Sequence, residues 1–121
     1  MREYPKIQTV FLRYPSTSYK SLLYGEFAKP EFQYLASNLW TFTEKVDGTN
    51  IRVMYTPENG ITFGGKTDNA QIPSPLLNRL NSLFLPQLPI FQELFPSGAC
   101  LYGEGYGAKI QKGGGNYRLD Q

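Results

Sequence analysis

Lys45, Asp47, Gly48 and Asn50 stand close together in the run Lys45-Val-Asp-Gly-Thr-Asn50. A lysine amine can attack phosphorus when it is neutral and when cations screen the phosphates around it. Thr41-Phe-Thr43 before this run and the alternating Ile51, Val53 and Tyr55 after it predict two strands, with Asp47-Gly48 as a primed turn between them. That arrangement puts Lys45 at a strand end, where rigid backbone can aim a reactive amine; it is also an ordinary place for a surface lysine. Lys66 and Glu104 are each expected at a further strand terminus beside glycine, where backbone can come close to a ligand. A lysine suits a phosphate and a carboxylate suits ribose hydroxyls. Equally, Lys66 reads as a solvated strand-end lysine and Glu104 as its ion-pair partner.

The elements that must position these groups follow from pattern. Asn59-Gly60 is a second turn signal, and Ile61-Thr-Phe63 a third strand, so residues 41–65 read as an antiparallel meander. Pro75 opens a helix carrying Leu76, Leu77, Leu80, Leu83 and Phe84 at helical spacing, with Pro86 and Pro89 ending it. A short helix is expected at 90–94, and an apolar strand at 99–102 running into Gly103-Glu-Gly-Tyr-Gly107. Residues 1–39 read as irregular, with a short strand around Ile7 and Val10 to Leu12 and helical turns at 19–24 and 31–35. The class is α+β with an antiparallel sheet.

The 121 residues suit one domain with a core of its own. Nine tyrosines, eight phenylalanines and one tryptophan are a high aromatic load, able to fill a core or to stack on bases. A net charge of +2 makes no bulk electrostatic case for nucleic acid, so such a site must be local. The absence of histidine excludes histidine-based triads and metal sites, and a single cysteine excludes an internal disulfide and suits a reducing compartment. No apolar run has the length of a membrane span, and the start lacks a signal-peptide pattern. The expected address is the cytoplasm, with no membrane partner.

Two phosphate-binding patterns occur and are rejected. Gly60-Ile-Thr-Phe-Gly-Gly-Lys66-Thr67 fits the P-loop spacing, but its strand lies inside the motif and no helix opens at Lys-Thr. Gly103-Glu-Gly-Tyr-Gly-Ala108 fits the loose dinucleotide pattern, yet it puts an acid where a pyrophosphate would approach, and no amphipathic helix follows.

Three ordered segments carry a more specific likeness: Phe42-Thr-Glu-Lys-Val-Asp-Gly-Thr-Asn-Ile-Arg52, Phe63-Gly-Gly-Lys-Thr-Asp-Asn-Ala-Gln-Ile-Pro73 and Leu101-Tyr-Gly-Glu-Gly-Tyr-Gly-Ala-Lys-Ile-Gln-Lys-Gly-Gly114. Together with Tyr4-Pro-Lys-Ile-Gln-Thr-Val-Phe11 they resemble the ATP-dependent RNA ligases, within the covalent nucleotidyltransferases that also include DNA ligases and capping enzymes. The resemblance implies the antiparallel nucleotidyltransferase (ligase adenylation) fold and a Lys45 that takes AMP from ATP as a lysyl–AMP phosphoramidate. It implies that Glu44 lies against the adenine edge, that Asp47 and Gly48 shape the nucleophile turn, and that Glu104 binds the ribose hydroxyls. Asn50 matches a position that helps recognise RNA ends. Lys66 stands where the family commonly has arginine, keeping the charge but losing the bidentate fork. Lys109 and Lys112 are candidates for RNA phosphates, with a solvated basic loop as the plainer reading. ATP, Mg2+ and RNA 5′-phosphate and 3′-hydroxyl ends are the implied ligands, and no protein metal ligands are assigned.

The family's later motifs do not occur before Gln121. The expectation is therefore the N-terminal portion of an RNA ligase nucleotidyltransferase domain, with a C-terminal half or a partner chain carrying the rest. DNA nick sealing or cap guanylylation is the alternative enzyme reading. A non-catalytic nucleotide- or RNA-binding remnant is the alternative from another class.

Overall fold

A computed structural model describes residues 2–110. The chain forms two compact units, Pro5–Glu44 and Met1–Tyr4 with Lys45–Gln121. All strand pairs among the described residues are antiparallel and helices accompany them, so the α+β class holds.

The unit Pro5–Glu44 holds strands β1 (Phe11–Arg13) and β2 (Leu22–Phe27), paired with Phe11 opposite Phe27 and Arg13 opposite Leu22, and the short helix α1 (Pro30–Tyr34). Two expectations need correcting here. Residues 19–24 form no helical turn; Ser18 and Tyr19 both take left-handed backbone angles, and the chain then extends into β2. Nor is there a strand at 41–43, where the chain has no regular structure.

The other unit contains β3 (Thr49–Thr56), β4 (Gly60–Gly64), α2 (Ser74–Phe84), α3 (Leu88–Leu94) and β5 (Ala99–Gly105). Its sheet has the order β4-β3-β5, so the longest strand is central. The predicted meander is corrected accordingly: the second neighbour of β3 is β5, recruited from far along the chain, and not the segment before Lys45. The β3–β4 turn is as read, a three-residue loop closing on Gly60, whose φ of 68° suits glycine.

Period two along β3 separates two faces. Ile51, Val53 and Tyr55 turn to the core with Ile61 of β4, and Leu76 and Leu80 of α2 and Phe91 of α3 meet them there. Pro75 stands in the first turn of α2, and Leu76 and Leu80 one turn apart form its buried stripe. α2 ends at Phe84, just before Pro86, as the prolines predict, and helical structure then restarts in two short pieces. Pro86 and Pro89 each sit in the first turn of one piece, a 3-10 turn at Leu85–Gln87 and then α3. Burying an Ile, Val, Leu or Phe side chain is worth roughly 1.5–3 kcal/mol, which makes this cluster the source of the unit's rigidity. Asn50, Arg52 and Met54 alternate onto the opposite face, in register with Glu104, Tyr102 and Cys100 of β5. No helix among the described residues is long and apolar enough to cross a membrane.

Candidate functional site

Lys45 lies on an exposed irregular segment that enters β3, not at the end of a hairpin strand. What fixes the segment is Gly48. Its N–H donates to Oε1 of Glu104 at 3.1 Å, joining positions 56 residues apart. The glycine is required by crowding and not by a primed turn. Gly48 is not among the positive-φ residues, but a Cβ there would lie 2.3 Å from the carbonyl oxygen of Gly105 and 2.9 Å from Cγ of Glu104. The reading of Asp47-Gly48 as a hairpin turn is thus overturned: Gly48 is not in a left-handed conformation and is crowded by β5.

Glu104 is exposed on β5, one residue before its end, and its strand partner is Asn50. A carboxylate has about four acceptor sites, so the bond from Gly48 leaves Glu104 able to receive hydroxyl donors. Oδ1 of Asn50 is buried and accepts no hydrogen bond among the described residues. Such an orphaned acceptor costs free energy unless a donor reaches it.

Lys66 follows the last residue of β4 by two places and is exposed. Arg52, which sequence reasoning passed over, holds this turn. It is the most deeply buried side chain of the described residues, 1% exposed. Its Nε donates to the carbonyl of Gly65 at 2.8 Å and its Nη2 to Oδ1 of Asp68 at 2.8 Å, so Lys66 is bracketed by two anchored residues. Lysine could not serve both acceptors, since it lacks the planar fork. The Arg52 hydrogen bond, and then its charge, hold the Asp68 carboxyl below the usual carboxylate range. An arginine alternating with Ile51 and Val53 was the only sequence signal for this role.

Tyr102, opposite Arg52, extends the same face. Its ring packs on Tyr4 at 5.2 Å and its hydroxyl donates to the carbonyl of Arg2 at 2.7 Å. Hydrogen bonding with Cys100 and then desolvation push the phenol pKa up.

One end of the sheet thus gathers Gly48, Asn50, Glu104 and the Lys66 turn, with the Lys45 segment leading directly into it. A Cβ placed on Gly65 would come 3.8 Å from the Asn50 carbonyl, which shows how closely the Lys66 turn approaches β3. Asp47 is exposed in the same entering segment. Glu44 belongs to the other compact unit, and Lys109 is exposed in the turn after β5. Lys112 lies outside the described residues.

Among the described residues no three or more His, Cys, Asp or Glu side chains form a group that could hold a metal. No protein-family model matches the chain, and neither does a curated protein or a solved structure.

Proposed function

We propose that this chain carries nucleotidyltransferase chemistry of the ATP-dependent RNA ligase kind, with Lys45 as its nucleophile. The observation that carries the proposal is the bond from Gly48 to Glu104. It ties the backbone three residues after the candidate nucleophile to the candidate ribose-binding carboxylate. The two groups a lysyl–AMP chemistry must bring together, an amine for the α-phosphate and a carboxylate for the sugar, therefore depend on one contact.

In this reading Nζ of Lys45 attacks the α-phosphorus of ATP. A P–N bond forms, the bond to pyrophosphate breaks, and the amine gives up a proton. A 5′-phosphate oxygen of RNA then displaces the lysine, and a 3′-hydroxyl displaces AMP to make the phosphodiester. Mg2+, when bound, supplies charge neutralisation at the phosphates. Lys66, on the turn that Arg52 anchors at Gly65 and Asp68, adds a cation. Glu104 takes ribose hydroxyls, and Asn50, its partner across β3 and β5, stands where the resemblance expects recognition of RNA ends. Cytoplasmic RNA repair is the matching setting.

The test is incubation with α-labelled ATP or GTP and Mg2+, beside Lys45→Ala, followed by denaturation. Covalent label from ATP that Lys45→Ala abolishes is the expected result. Label from GTP in preference to ATP would replace ligation with capping. Reversible ATP binding without label would replace the enzyme with a binding protein.

A further inference from the structure

A groove of about 680 Å3 in the unit Pro5–Glu44 has Lys6, Ile7, Thr9, Arg13 and Tyr19 in its lining. We propose that this groove binds single-stranded RNA, stacking a base on Tyr19 and seating the adjoining phosphates on Lys6 and Arg13. The preference for RNA over DNA rests on the ligase reading above; the charge and shape of the groove do not depend on it.

Charge complementarity is the first argument. Both ionic side chains of the lining are cations, and no carboxylate is among them, although this small unit also carries Glu26, Glu31 and Glu44. Glu26 lines a different cavity, around the end of β2 and the start of α1. A local cationic groove is what a chain of net charge +2 needs if it is to hold a polyanion.

The second argument is how Tyr19 is held. Ser18 and Tyr19 have φ of 54° and 62°, an arrangement bulky L-residues rarely adopt, and two in a row must be imposed by their surroundings. The loop imposes it with a dense set of bonds. The Tyr19 N–H donates to the Tyr14 carbonyl, and Nη1 of Arg13 donates to the Tyr19 carbonyl, both at 3.0 Å. The Thr17 hydroxyl donates to the Tyr14 carbonyl and accepts from the Ser21 N–H, at 3.1 Å each. All this fixes backbone, yet Tyr19 remains 62% exposed. An exposed ring carried on fixed backbone at a groove wall can serve as a stacking platform, and aromatic platforms beside cations are how single strands are bound without sequence readout. Exposed Ile7 and half-buried Thr9 add an apolar and a polar group to the lining. An acidic peptide would satisfy the two cations but would give the ring nothing to stack on.

The experiment is fluorescence anisotropy of the full chain with a labelled mixed-sequence 12-nucleotide RNA, across a salt series, with the matching duplex and polyglutamate as competitors. Tyr19→Gly removes the ring while relieving the left-handed backbone, and Tyr19→Phe keeps the ring; circular dichroism checks folding of both. The loss of one stacked base weakens binding about 5- to 150-fold, so Tyr19→Gly is expected in that range with Tyr19→Phe near the wild type. Lys6→Gln should lower the salt slope by about 0.7, the value of one phosphate contact on a single strand. Affinity indifferent to both Tyr19→Gly and Lys6→Gln, or polyglutamate competing as well as RNA, overturns the proposal. ATP labelling of the wild type in parallel separates the two readings. Tyr19-dependent RNA binding without label sinks the ligase and keeps the groove, and label with Tyr19-independent RNA binding does the reverse.

Discussion

Replacing Gly48 tests why the entering segment takes its course. In Gly48→Ala the new methyl carbon would sit 2.3 Å from the Gly105 carbonyl oxygen, 2.9 Å from Cγ of Glu104 and 3.0 Å from the Gly105 carbonyl carbon. Two of the three are backbone atoms of β5, which is hydrogen-bonded to β3 along its length, so relief requires the 45–48 segment itself to move away. Overpacking of this kind costs about 1–3 kcal/mol, and the upper half of that range is expected because neither obstacle on the backbone is a flexible side-chain end. Moving the segment also stretches the Gly48 bond to Glu104, so any nucleotide labelling at Lys45 should fall by more than stability alone accounts for. Gly48→Asn sharpens the test. Asparagine tolerates left-handed backbone, so a primed turn would accept it readily, whereas crowding makes its larger side chain at least as costly as alanine. Urea denaturation reads both variants, with an unchanged m-value confirming that the midpoint shift is stability. Gly48→Asn close to the wild type while Gly48→Ala is destabilised would refute crowding and restore the turn.

The Arg52 clamp predicts an asymmetry. Arg52→Ala should cost about 2–3 kcal/mol through the orphaned Gly65 carbonyl and lost packing, measured by denaturation. Asp68→Asn, at a side chain 82% exposed, should cost far less. The Asp68 pKa is lowered in the fold, so its contribution is complete above its unfolded value of about 4 and is lost as pH falls through the lower folded value. Proton titration by NMR should find Asp68 ionised to lower pH than an exposed aspartate, and Arg52→Gln should remove the difference. Tyr102 has the opposite sign: a raised phenol pKa gives a contribution present below the unfolded tyrosine value and lost as pH rises through the folded one. Phenolate absorbance should show Tyr102 ionising late, and Cys100→Ala should bring it earlier.

Where chemistry and periodicity reside in the residue types themselves, the sequence is readable. Ile51, Val53 and Tyr55 announce a strand by alternation, Pro75 with Leu76 and Leu80 announces a helix, and Asn59-Gly60 announces the turn that Gly60 makes. Lys66 and Glu104 were expected at strand ends; Lys66 lies two residues past the end of β4 and Glu104 one residue inside the end of β5. What was not readable is which strand pairs with which. β5 joins β3 across some 50 residues, and nothing local to either records that pairing. The same gap explains the misread loop at 19–24, where Ser18 and Tyr19 adopt a backbone their residue types disfavour because bonds from Arg13 and to Tyr14 hold them there.

Gly48 shows where the limit falls. A glycine after aspartate is compatible with two physical causes, a φ that only glycine accepts easily or a neighbour that leaves no room for Cβ, and sequence cannot separate them because the neighbour is remote. Here the neighbour is the Gly105 carbonyl. The causes differ in what they make of Lys45. A primed hairpin would set the lysine by local geometry alone. Contact with β5 makes its position conditional on Gly105 being a glycine-backed strand end and on Glu104 presenting its carboxylate to the Gly48 N–H. Gly105 in turn can lie there because it has no side chain to strike Leu76 of α2, where a Cβ would come 2.5 Å from Cδ2. The approach of Lys45 is thereby coupled through two glycines to the packing of α2 on the sheet. Filling Gly105 from the helix side should disturb Lys45 without touching it.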